Sequence, residues 1–80
     1  MNKFDDELPK GIYQQAFKEF EDELSYLYYP DLIVLPLTEK GEIERIRLYD
    51  EPQFIGQYGA YEHNFKFNGE IYLVILVNND

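Results

Sequence analysis

Asn68-Gly69 sits between two β-rich runs, Tyr61 to Phe67 and Glu70 to Val77, and restricts the fold more tightly than any other feature of the sequence. Both residues tolerate a positive φ, which the two central positions of a type I′ turn require, so the runs are expected to close as an antiparallel hairpin. A two-residue turn at this place sets Phe65 opposite Tyr72, His63 opposite Val74 and Tyr61 opposite Leu76. The last strand then carries a second apolar row, Ile71, Leu73, Ile75 and Val77, on its other face. A strand that is apolar on both faces has to be covered on both.

Upstream, the apolar residues Tyr13, Phe17, Phe20, Leu24 and Leu27 step by 4, 3, 4 and 3, with Ala16 and Tyr28 widening the stripe. That spacing predicts one amphipathic helix over Lys10 to Tyr29, ended by Pro30. Residues 1–9 are polar and acidic and close on Pro9, which suits a frayed arm or a helix lead-in. Asp31 to Thr38 reads as a strand in which Pro36 removes a ladder donor, a mark of an edge or a bulge. Glu39-Lys40-Gly41 reads as a turn, and Glu42 to Tyr49 as a further strand, with a bulge near Glu44 or Arg45 to bring Ile43 onto the face of Ile46 and Leu48. Gln53 to Ala60, interrupted by Gly56 and Gly59, fits either a short strand or a shaped loop.

The expected fold is therefore α+β, a single domain over residues 1–80. One N-terminal amphipathic helix packs on a four- or five-stranded antiparallel sheet that ends in the type I′ hairpin, with Phe17, Phe20, Leu24, Leu73, Val74 and Ile75 in the core. A single helix covers a single face. The other is left to the N-terminal arm, a curled sheet, residues 50–60 or another chain.

The residue inventory bears on function mainly by exclusion. The chain has no cysteine, one histidine (His63), one serine and one threonine, too few to assemble a nucleophile, a base and an orienting group. Thiolate metal sites and disulfides are excluded outright, no loop carries the alternating oxygen ligands of a calcium site, and no glycine-rich phosphate cradle precedes a helix. The expectation is a protein that is not an enzyme and uses no cofactor or metal. The longest apolar stretch, Ile71 to Val77, is far short of the ~20 residues that span a bilayer, which points to the cytoplasm.

Seven Lys and Arg stand against 16 Asp and Glu, a net charge of -9. Such a surface repels nucleic acid and anionic lipid and favours a basic protein partner. On the expected helix Glu19, Asp22 and Glu23 lie away from the apolar stripe. Tyr26, Tyr28 and Tyr29 cannot all face the core from one helical turn, so at least one projects beside Glu23 and Asp31. Glu19, Asp22, Glu23, Tyr26, Tyr29 and Asp31 are thus the candidate partner-binding residues, carboxylates for steering and aromatic rings for buried area.

In size, acidity and lack of catalytic groups the chain resembles the small phage-encoded DNA mimics and anti-CRISPR proteins, a resemblance of composition across the whole chain with no shared motif. It implies an acidic inhibitor that occupies the basic site of a nucleic-acid-handling protein, in the host cytoplasm if phage-encoded, with an immunity protein or antitoxin as a close variant. The alternative from a different class is a homo-oligomeric scaffold module, a homodimer through the sheet, whose acidity serves solubility.

Overall fold

A computed structural model describes residues 7–51 and 60–78. In chain order the elements are α1 (Ile12–Glu19), α2 (Glu21–Leu24), β1 (Pro30–Pro36), α3 (Glu39–Asp50), β2 (Ala60–Phe67) and β3 (Glu70–Asn78). The architecture is α+β, and among the described residues the sheet has three antiparallel strands in the order β1-β3-β2 rather than the four or five expected. The expected arm over residues 1–9 and the ambiguous segment from Gln53 fall largely outside the described residues.

The hairpin forms as its sequence requires. Asn68 and Gly69 take φ values of 52° and 84°, and Phe65 pairs with Tyr72, His63 with Val74 and Tyr61 with Leu76. β3 is the central strand, and Val74, Ile75, Leu76 and Val77 are all completely or almost completely buried. Each such side chain contributes roughly 1.5–3 kcal/mol by leaving water, so this strand is the largest apolar investment in the chain.

Two cores result, one on each face of the sheet. Ile12, Ala16, Phe20 and Leu24 from α1 and α2 pack against Leu32, Val34, Phe65, Tyr72, Val74 and Leu76. On the opposite face Leu48 of α3 meets Leu35, Ile75 and Val77. Leu8, just ahead of α1, packs against both clusters.

The segment read as a fourth strand, Glu42 to Tyr49, is helical. Thr38 caps α3, its Oγ1 accepting a hydrogen bond from the Gly41 amide at 3.2 Å. Glu39 and Glu42 occupy the first turn, where carboxylates are favoured by the exposed amides. The helix turns Gly41, Glu44 and Leu48 inward and leaves Ile43 and Ile46 exposed, so its buried face shows no apolar period. Strand alternation was all that the isoleucines could suggest.

The N-terminal helix is also shorter than expected. It breaks at Phe20, which leaves the helical region (φ −106°, ψ 22°) and serves as the end of α1 and the start of α2, and α2 stops at Leu24 rather than Tyr29. The break rotates the apolar stripe. Ile12 and Ala16 are buried where Phe17, 43% exposed, was expected, while Phe20 and Leu24 keep their places and Leu73 is only half-buried.

Three substitutions test this packing. Phe20→Ala should cost about 3–5 kcal/mol and Phe17→Ala well under half of that, read by chemical unfolding. A Cβ on Gly41 would stand 1.9 Å from the carbonyl oxygen of Pro36, so α3 touches the end of β1 through a position that admits no side chain. Alanine normally stabilises a helix interior by about 1 kcal/mol relative to glycine, but overpacking against backbone costs about 1–3 kcal/mol or more. Gly41→Ala should therefore destabilise, and an unchanged unfolding midpoint would place α3 elsewhere.

Candidate functional site

The chain between α2 and β1 is shaped by local hydrogen bonds that close a turn where a helix was expected. Ser25 Oγ donates to the Asp22 carbonyl at 2.6 Å, the Tyr26 amide donates to Glu23 and the Leu27 amide to Leu24. Leu27 turns inward against the first core. The tyrosines turn out: Tyr26, Tyr28 and Tyr29 are 87, 84 and 60% exposed. The Tyr29 amide donates to Asn78 Oδ1, which ties the exit of this turn to the end of β3.

Of the candidate residues, Glu19, Asp22 and Glu23 lie on the exposed side of α1 and α2, Tyr26 and Tyr29 project from the turn, and Asp31 opens β1. They follow one another along a continuous stretch. Glu23 is engaged within the fold, since an oxygen of its carboxylate lies 2.6 Å from His63 Nε2, off the line of a hydrogen bond, while the His63 ring stacks on Phe20 at 4.9 Å between centroids. Asp31 accepts the Leu32 amide at 2.8 Å. Tyr28 and Glu21 are exposed on the same stretch and are not among the candidate residues singled out from the sequence, where the helical reading put Tyr28 at the margin of the apolar stripe.

Charge is divided unevenly over the molecule. Both arginines sit on α3 and each pairs with two acids: Arg47 holds the buried Glu44 at 2.6 Å and also Glu51, and Arg45 bonds Glu62 of β2 at 2.8 Å and Glu42 at 3.0 Å. Tyr49 donates its hydroxyl to the same Glu62, and the Arg45 guanidinium lies over its ring at 5.1 Å. No lysine or arginine occurs between Lys18 and Lys40. Glu19, Glu21 and Asp22 make no ion pair among the described residues.

A groove of about 830 Å³ runs along β1 between α1 and α3, lined by Lys10, Tyr13, Asp31, Glu44, Arg47 and Leu48 among others. Of its charged residues Glu44 and Arg47 pair with one another, and Asp31 accepts the Leu32 amide. Among the described residues no three His, Asp or Glu side chains gather as a metal site, and no helix is long and apolar enough to cross a membrane. No protein-family model, curated protein or solved structure matches the chain.

The Arg45–Glu62–Tyr49 cluster yields a pH prediction. Burial, then the hydrogen bond to Glu62, push the Tyr49 phenol up to about 12. Burial acts to raise Glu62, and the hydrogen bonds from Arg45 and Tyr49 outweigh it, leaving its carboxyl below the usual range. An unfolded phenol ionises near 10, so over pH ~10 to 12 the unfolded chain binds fewer protons than the folded one and stability falls as pH rises. The Tyr49 contribution is complete below about pH 10 and gone above about 12. Subtracting the melting profile of Tyr49→Phe from that of the wild type should isolate this alkaline loss; identical slopes would remove Tyr49 from the cluster.

Proposed function

We propose that the chain is a non-catalytic binding protein whose α1–α2 face and tyrosine turn occupy the basic site of a nucleic-acid-handling protein. The observation that carries this reading is the distribution of paired and unpaired charge: the two arginines are engaged by Glu42, Glu44, Glu51 and Glu62, while among the described residues Glu19, Glu21 and Asp22 stand without ion pairs beside three tyrosines more than half exposed. Carboxylates at this end would take the places of phosphates and steer a basic partner inward. The tyrosines would add rigid area and accept lysine or arginine over their rings. An immunity protein or antitoxin directed at a basic nuclease is the close variant, since it meets the same kind of groove.

The test is capture of a nucleic-acid-binding enzyme on the immobilised chain, followed by elution with salt or with duplex oligonucleotide and an assay of that enzyme with the chain added. Binding should weaken as salt rises, nucleic acid should compete, and the enzyme should lose activity. Glu19→Lys with Asp22→Lys, which moves net charge from -9 to -5 (two reversals of 2 each), should slow association by about tenfold and flatten the salt dependence. Glu23 is left in place because of His63. Tyr26→Ala with Tyr28→Ala should act on dissociation instead. Capture that neither salt nor nucleic acid reverses would set this reading aside.

A further inference from the structure

The two edges of the sheet are built differently. With a two-residue turn, Phe67 and Glu70 exchange hydrogen bonds, and so in alternation do Phe65 with Tyr72, His63 with Val74 and Tyr61 with Leu76. β3 therefore turns Leu73, Ile75 and Val77 to β1, where they meet Leu35, Ile33 and Asp31. The positions of β1 that face outward are then Pro30, Leu32, Val34 and Pro36. None has a free donor: the prolines lack an N–H, the Leu32 amide is held by Asp31 Oδ1, and the Val34 amide donates to the Tyr13 hydroxyl at 3.4 Å. This is an edge closed against further strands.

β2 has no such protection. Ala60, Glu62, Asn64 and Lys66 turn their N–H and C=O groups outward, and among the described residues nothing accepts from or donates to them. The strand is eight residues long, contains no proline, and its outward positions at 62, 64 and 66 are exposed. A bare edge of this length is a template for another strand.

We propose that the partner is a second copy of this chain, paired antiparallel through β2 with Asn64 on the two-fold axis. In this register Glu62 of each copy lies opposite Lys66 of the other, twice, on the α3 side of the sheet. On the α1 side Tyr61 opposes Phe67 and His63 opposes Phe65, in the closely spaced non-hydrogen-bonded pairs that suit aromatic contacts. Moving the axis to Glu62 would set carboxylate against carboxylate, and moving it to Lys66 would set ammonium against ammonium. With the axis at Asn64, Lys66 of each copy meets the Glu62 that Arg45 and Tyr49 already hold, and the charged side chains of the two β2 strands cancel in a chain of net charge -9. The product is a continuous six-stranded sheet bounded at both ends by β1, the closed edge, so assembly stops at two copies.

Sedimentation at moderate salt, which screens the repulsion between two acidic chains, should find the wild type dimeric at about 100 μM and dissociating on dilution. Hydrogen exchange should slow at the amides of Glu62, Asn64 and Lys66 as concentration rises, and stay constant at Leu32 and Val34. Asn64→Pro removes a donor that points away from β3, so it should give a folded monomer. Lys66→Glu, which places a carboxylate opposite Glu62, should weaken the dimer by about tenfold and decides the matter if the proline variant fails to fold. A wild type monomeric at every concentration, a dimer unaffected by Lys66→Glu, or concentration-independent exchange at the three amides would overturn the proposal, as would an edge occupied only by a different protein.

Discussion

β3 presents aliphatic side chains to both sides of the sheet, and burying both rows demands a layer on each side. The short chain meets that demand with α1 and α2 on one face and α3 on the other. The second layer is thin in apolar residues, since α3 contributes Leu48 as its one large buried aliphatic. It compensates by approaching closely, through Gly41 against the Pro36 carbonyl, and by carrying its own neutralising arginines. Glu44 faces inward at almost no exposure because Arg47 meets it with two nitrogens, which offsets much of the desolvation a lone carboxylate would incur.

That arrangement governs where charge appears on the surface. Acids packed near the sheet need partners, and the two arginines of the chain are used there. Glu19, Glu21 and Asp22 stand clear of the core and carry no such requirement. Carboxylates without an ion pair among the described residues therefore lie beside the tyrosine turn, where the helix ends early and three phenol rings are displaced outward. Electrostatic steering and aromatic contact area coincide at one end of the molecule, which is the physical basis for reading it as a binding surface.

The edges express a second economy. Along β1 the two prolines, Asp31 and the Tyr13 hydroxyl of α1 leave no free outward donor, which closes that edge to further strands. Among the described residues β2 has no proline and no partner for its outward amides, yet distributes Glu62 and Lys66 symmetrically about Asn64. In the proposed dimer the open edge pairs once and the closed edge ends the sheet on both sides.

How much of this was legible in the sequence depended on whether local chemistry decided the matter. Asn68-Gly69 fixed the hairpin and its register because a type I′ turn admits few other residues, and Pro36 marked an edge because a proline cannot donate within a ladder. The double apolar row of β3 announced two covered faces. The cover itself could not be read, because α3 turns a glycine, a paired glutamate and one leucine toward the sheet while its isoleucines face water; only Thr38 followed by Glu39 and Glu42 hinted at a helix start. The candidate residues on α2 and the turn were legible as acidic and aromatic, but their common exposure followed from the break at Phe20, which packing against His63 and Phe65 favours and helical periodicity alone does not reveal. The sequence by itself determined the turn, the central strand and the excess of negative charge, since each rests on residues adjacent in the chain. Which acids are neutralised, which edge is closed and where the tyrosines point were decided by tertiary structure, because each depends on groups brought together from distant parts of the chain: Arg45 with Glu62, Tyr13 with Val34, and Tyr29 with Asn78.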